Sequence, residues 1–375
     1  MARRQQRPSS SDAARCMTDT CELQPWHFAG LLTTYWCNAR CAFCYLHCGP
    51  DRRGARPIDL GVRLWRELEA HAAAHIAPAA DAVAGRVGDA EPVRAATTMR
   101  IHVTGGEPFG DWPRLAELLR AARDAGCAPA DSIETNAYWA TDDGETRARL
   151  EVLARLGVRR LAVSCDSYHQ EHVPFERVRR CVTIAHEVFG PTGVRVRWWD
   201  EYHAMCSGVG VPARPLSGGQ GRPPHYNRDR LSGRAAWNLA PLLPRQPAET
   251  FRGQGCGREV LAGGHVHIDP YGHIFPGVCT GIILGRAGGS SPDAPSIESL
   301  WQNLARHWRE HPVLAAVAAG GSFALMQAAE SLGFTPDPAG YASKCHLCTA
   351  VRQFLFERGH WPEHIGPAEC YADGA

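Results

Sequence analysis

Cys37, Cys41 and Cys44 stand in the pattern C-x3-C-x2-C, inside the run Tyr35-Trp36-Cys37-Asn38-Ala39-Arg40-Cys41-Ala42-Phe43-Cys44-Tyr45. Thiolates are soft ligands that select iron–sulfur clusters and similar metals. Three of them in one short loop can hold three irons of a [4Fe–4S] cluster and leave the fourth iron without a protein ligand. An open iron can bind a small molecule, so the spacing points to chemistry as well as electron storage. The same positions are i, i+4 and i+7, one face of a helix, and free cysteine is a common core residue. Against a plain core helix, Asn38 and Arg40 interrupt the apolar character, and Gly49 and Pro50 follow.

A second segment, Thr104-Gly105-Gly106-Glu107-Pro108, follows the strand-like run Met99-Arg100-Ile101-His102-Val103. Two glycines after a strand let the backbone approach a ligand, and the carboxylate of Glu107 can bind a cation such as an α-ammonium. Alone, the segment reads as a strand-to-helix turn. Paired with the upstream cysteine loop, it resembles the radical S-adenosylmethionine (radical SAM) superfamily, over roughly Trp26 to Asp200. The resemblance implies that Cys37, Cys41 and Cys44 hold the cluster and that its open iron chelates the amino and carboxylate groups of the methionine moiety. It places Gly105, Gly106 and Glu107 at the ammonium and Phe43 near the adenine. It offers Glu134 and Asn136 for the ribose, and Ser164 with Arg195 or Arg197 for the carboxylate. The plainer readings are strand-end capping and, for the arginines, solvation. The fold implied is α/β, a partial (β/α)6 barrel.

The elements that must position these residues follow from periodicity. Phe28–Tyr35 reads as a strand entering the cysteine loop. Ile58–His75 has helical spacing, with Leu60, Leu64, Leu68 and His71 at four- and three-residue steps. After it, strand Met99–Val103, helix Pro113–Ala125, strand Ser132–Thr135, a helix from about Gly144 to Leu156, strand Arg160–Ser164, helix Pro174–Phe189 and strand Val194–Trp199 alternate. Such alternation implies βα units and a parallel sheet, with ligands at the C-terminal strand ends. The cysteine loop, the Gly-Gly-Glu-Pro turn, Glu134-Thr135-Asn136 and Ser164-Cys165-Asp166 all fall there. Cys165 is the one candidate for a catalytic thiol, beside a plain core reading. The polar junction Ser167-Tyr168-His169-Gln170-Glu171-His172 offers Tyr168 or His169 as an acid, base or hydrogen donor; a solvated loop is the alternative.

The chain divides into an N-terminal arm (1–25), a radical SAM core (26–205), a Gly/Pro/Arg-rich linker or lid (206–250) and a C-terminal segment (251–375), with a variable insertion at 76–97. Its 375 residues carry a net charge of +1, which gives no electrostatic argument for nucleic acid or an anionic membrane. No apolar run reads as long enough to span a bilayer, and the basic N-terminus lacks the apolar stretch of a secretory signal. Fifteen cysteines in such a chain suggest metal ligation or catalysis in a reducing cytoplasm.

In the C-terminal segment, Cys256 and Cys279 flank a hairpin, His265–Asp269 and His273–Pro276 about the turn Pro270-Tyr271-Gly272. A late C-x2-C follows at Cys345 and Cys348. This arrangement resembles the small α+β auxiliary-cluster domain called Twitch, related to SPASM. It implies a second [4Fe–4S] cluster on Cys256, Cys279, Cys345 and Cys348, with Cys370 nearby in sequence. A structural zinc on the same four cysteines is the rival. A two-Cys, two-His finger through His360 and His364 misses the usual gap by one residue and has Trp361-Pro362 between its histidines.

The resemblance implies an enzyme that cleaves S-adenosylmethionine reductively and abstracts a hydrogen atom from a substrate. A small molecule of natural-product or cofactor biosynthesis is the expected substrate, with a peptide as the alternative. The reductant is expected to be of flavodoxin or ferredoxin type. The auxiliary cluster would serve oxidation, substrate ligation or sulfur transfer. A non-catalytic iron–sulfur or zinc scaffold is the reading from another class.

Overall fold

Every strand that the alternating pattern places between residues 28 and 197 forms, and all of them run parallel. The structure is a computed structural model that describes residues 21–76, 99–208, 230–277, 279–288 and 294–371. Most of the N-terminal arm, nearly all of the 76–97 insertion and about half of the 206–250 segment lie outside those residues.

The order is β1 (Phe28–Leu32), α1 (Ile58–His75), β2 (Arg100–Thr104), α2 (Trp112–Asp124), β3 (Ser132–Thr135), α3 (Asp143–Arg155), β4 (Leu161–Ser164), α4 (Phe175–Phe189), β5 (Val194–Arg197) and α5 (Trp199–Cys206). The helix starts are chemically marked. Asp111 accepts from the Arg114 amide at the head of α2, and Asp142 from the Glu145 amide at the head of α3. Helix α4 buries Val178, Cys181, Val182, Ile184 and Ala185 on one face. Each large apolar side chain so buried contributes about 1.5–3 kcal/mol. The last strand is shorter than its sequence pattern: Trp198 turns left-handed (φ 60°) and α5 begins at once.

Downstream come α6 (Arg234–Asn238), α7 (Gly257–Val260), β6 (His265–Ile268), β7 (His273–Pro276), β8 (Gly285–Arg286), α8 (Ile297–His307), α9 (Pro312–Glu330) and α10 (Lys344–Glu357). Strand β6 pairs in parallel with β1, so the hairpin continues the same sheet. The sheet has eight strands in the order β5-β4-β3-β2-β1-β6-β7-β8. The sixth parallel strand therefore comes from the C-terminal segment and sits beside β1, not beside β5.

In the described part of the 206–250 segment, α6 and the residue before it pack on the cysteine loop. Helix α9 is long and apolar enough to cross a membrane by length and composition, which corrects the expectation that no apolar run is. Half of its most apolar window is buried; it packs against α10, and Gly321 (φ 70°) breaks it where the Gln254 carbonyl presses close.

Candidate active site

The cysteine loop leaves β1 at its C-terminal end and is pinned to the turn after β2. The Gly106 amide donates to the Thr34 carbonyl at 2.8 Å, and the Glu107 amide to the Trp36 carbonyl at 2.9 Å. A Cβ on Gly106 would lie 1.9 Å from the Trp36 oxygen, and one on Gly105 (φ +135°) 2.6 Å from the Thr34 oxygen. The two glycines thus first serve contact between the two motifs.

One cavity collects most of the expected residues. Cys37, Cys41, Phe43 and Cys44 line it from the loop, and Gly105 and Gly106 from the turn after β2. Glu134 comes from β3 and Asn136 directly follows it, Ser164 comes from β4, Arg197 from β5 and His169 from the junction after β4. The cavity measures about 110 Å³.

Glu107 is placed differently from its sequence reading. Its carboxylate is fully buried and accepts from the Phe109 amide (3.1 Å), the Thr135 hydroxyl (2.8 Å) and the Asn136 amide (2.7 Å). It caps its own turn and ties it to the end of β3, and it does not line the cavity. Burial raises its pKa to about 7 despite those donors. Tyr168 also lies behind the wall, its ring 5.0 Å from that of Phe43. Arg195 is exposed and is not part of the lining. Cys165 is fully buried, its thiol pushed up by desolvation, and does not reach the cavity.

The remaining polar groups are held in place. Glu134 accepts from the Thr104 hydroxyl at 2.7 Å and faces Arg197 at 3.6 Å. Burial opposes its ionisation, but Arg197, His102 and the Thr104 hydroxyl outweigh it and hold the pKa near 2. Asn136 donates to the Asn38 side chain at 2.9 Å and lies 3.7 Å from the Cys37 sulfur. His169, which lines the cavity, is bonded through Nδ1 to Asp166 at 2.6 Å.

Desolvation pushes the Cys37 and Cys41 thiols up, so thiolates there need a cation. Cys44 falls to about 5, chiefly through its hydrogen bond with Cys48 and then the charge of Arg234. A [4Fe–4S] cluster fits this donor set, with three thiols on one wall and a polar cavity beyond them.

Sequence reasoning missed Arg234, which donates to the carbonyl of Cys41 at 2.8 Å and to that of Cys48, while its amide donates to Cys44 O at 3.0 Å. It clamps the loop from residues that showed no periodicity. Cys48, a fourth nearby thiol that the sequence offers as a spectator, lines the cavity. Asp166, at the Ser-Cys-Asp strand end, orients His169, a role no motif assigned.

A second cavity, about 300 Å³, is lined by Cys256, Cys279, Cys345 and Cys348 together with Arg230, Lys344 and Arg352. Cys345 and Cys348 sit three apart in the first turns of α10, which Ser343 caps through the His346 amide. Cys256 is fixed by its amide to the Val317 carbonyl of α9 at 2.8 Å. Cys370 is elsewhere, 3.6 Å from the Tyr35 hydroxyl. The finger reading fails: His364 packs on His311 and His360 lies near Phe354, and neither histidine lines the cavity of the two cysteines.

Comparison with known proteins places residues 31–197 in the radical SAM superfamily. Among solved structures, native anSMEcpe with bound AdoMet and Cp18Cys peptide is 12% identical, with a TM-score of 0.41 over 88% of this chain and 97% of that one. SuiB of Streptococcus suis bound to S-adenosylmethionine is 13% identical, with a TM-score of 0.33 over 93% of this chain and 78% of that one. No curated protein matches the chain.

Proposed function

We propose, from the match of residues 31–197 to the radical SAM superfamily, that Cys37, Cys41 and Cys44 bind the cluster that activates S-adenosylmethionine, and that the substrate is a small molecule. The observation that carries the reading is the single cavity at the C-terminal strand ends, where three thiols meet Gly105, Gly106, Glu134, Asn136, Ser164 and Arg197. When bound, the cluster and S-adenosylmethionine supply a 5′-deoxyadenosyl radical that removes a hydrogen atom from the substrate.

The chain's own residues bind and orient. Arg197 and Ser164 hold the methionine carboxylate, with Arg197 shared between that group and Glu134. Glu134 and Asn136 accept from and donate to the ribose hydroxyls. Phe43 offers its ring to the adenine. With the Glu107 carboxylate already occupied by three donors, the backbone of Gly105 and Gly106 is what this turn presents to the ammonium. His169, fixed by Asp166, is the group placed to hold or accept a proton on the substrate side.

We assign the second cavity to an auxiliary [4Fe–4S] cluster on Cys256, Cys279, Cys345 and Cys348. The spacing of the sulfurs supports this over zinc: no three of the four thiols lie within 4.8 Å of one another, whereas sulfurs about 2.3 Å from one zinc would be about 3.8 Å apart. Lys344 and Arg352 beside the thiols offset the negative charge that a four-thiolate cluster carries. Its function would be to take an electron from the substrate, to ligate it, or to give up a sulfur.

The test is 5′-deoxyadenosine formation by the anaerobically reconstituted protein with dithionite. Native protein should release it, and Cys41→Ala should abolish release. Appreciable residual formation by that variant would refute the site assignment.

A further inference from the structure

Three histidines converge on one face of the sheet, below the cavity and apart from its proposed ligands. His102 on β2 and His267 on β6 both pair in register with Gly30 on the intervening β1. His265 precedes His267 by two residues and so shares its face. One ring nitrogen from each of the three lies within 4.8 Å of the other two.

The backbone is built to admit them. A Cβ on Gly30 would lie 2.2 Å from His267 Cδ2 and 2.6 Å from Nε2 of both His102 and His267. Only glycine leaves room for two imidazole edges to meet there. The Phe28 ring, 4.4 Å from that of His265 and 4.6 Å from that of His102, packs the rings from the strand's outer end.

The proton positions follow from the partners. His267 Nδ1 faces the Gly277 carbonyl, which can only accept, so this nitrogen carries the proton. Nε2 of His267 is then a lone pair that accepts from His102 Nε2 3.3 Å away, and a metal bound between them would move that proton to His102 Nδ1, which has no other partner. A backbone carbonyl on the far nitrogen is the usual way a metal-binding imidazole is oriented. The 3.3 Å spacing also matches the edge of a tetrahedral site, which is about 3.3–3.4 Å for metal–nitrogen bonds of 2.0–2.1 Å. His265 Nε2 is buried and has no partner.

The geometry points to a divalent transition-metal site of three neutral imidazoles, from His102, His265 and His267, at the floor of the sheet's inner face. Zinc is the ion this nitrogen set suits first. A contrasting group, His71, His75 and Glu298, needs no ion. Glu298 accepts from His71 at 2.7 Å and contacts His75 at 2.8 Å, and the other His71 nitrogen accepts from the Trp26 amide.

The proposal does not depend on how the two cysteine cavities are filled, and the test keeps them apart. Protein with its cysteines occupied by reconstituted iron and sulfide is dialysed against buffered zinc, and bound zinc is measured beside iron. Native protein should take up one zinc that His267→Gln and His265→Asn bind more than ~100-fold more weakly, with iron unchanged. Equal zinc uptake by native protein and both variants, or none by native protein, overturns the proposal. X-ray absorption at the zinc edge of native protein covers the case in which the variants do not fold. A shell of imidazole nitrogens near ~2.0 Å is expected, and a sulfur shell near ~2.3 Å would overturn it.

Discussion

The two cysteine cavities of this chain use the same ligand for different ends. The first takes three thiols from eight consecutive residues and completes its wall with a carboxylate, an amide, a hydroxyl, an imidazole and a guanidinium. The second gathers four thiols from positions 256, 279, 345 and 348 and surrounds them with three cations, one carboxylate, three serines and apolar side chains. On the proposed reading, three thiols would leave a coordination position open beside groups that can grip a substrate. Four would close it unless one thiolate is displaced. The difference would separate a site for bond-making from one for storing charge, giving up sulfur or, with one thiolate displaced, ligating substrate.

The clamp on the first loop is where the comparison breaks most easily. Removing the Arg234 guanidinium deletes two charge-assisted hydrogen bonds to the loop, each contributing about 1.5–3 kcal/mol. Arg234→Ala should therefore lose iron from the first cavity while the second retains its own. Iron and sulfide content, with thermal unfolding as a companion, checks this; loss of both clusters together would show that the two cavities are not independent.

A smaller effect is expected from the polar wall. Glu134→Gln removes the charge that faces Arg197 and one ribose partner, so KM for S-adenosylmethionine should rise about tenfold, near 1.4 kcal/mol. Iron content should not change. An unaltered KM would take Glu134 out of the binding site.

Cys48 sharpens the contrast of three against four. It lines the first cavity and bonds to Cys44, so it could in principle close the open position. If the loop works with three ligands, Cys48→Ala keeps its iron and changes 5′-deoxyadenosine release by less than about threefold, within the range of an ordinary core substitution. A collapse of iron content would make it a ligand.

What the sequence could reveal follows from locality. The cysteine loop and the Gly-Gly-Glu-Pro turn are contiguous, and the strands at 132–135 and 194–197 announce themselves by pattern, so the first cavity's main wall was legible. The direction a side chain turns is not local. Glu107 looked like a cation ligand because carboxylates are, but three nearby donors inside the fold claim it. Arg195 and Arg197 share a face of one strand, yet only Arg197 lies at the strand end where the cavity opens. Arg234 was invisible because its partners are backbone carbonyls far away in sequence. Pairing of β6 with β1 was equally hidden, since a hairpin's own pattern does not name the strand it will join.

The central claim, that two cavities hold two iron–sulfur clusters of different kind, is tested most directly by iron and sulfide per chain in a variant with Cys37, Cys41 and Cys44 all changed to alanine. After anaerobic reconstitution the variant should retain about four irons and four sulfides, against about eight of each in the native protein. A variant left with no iron, whatever zinc it binds, would contradict the account and leave a single cluster in the first cavity.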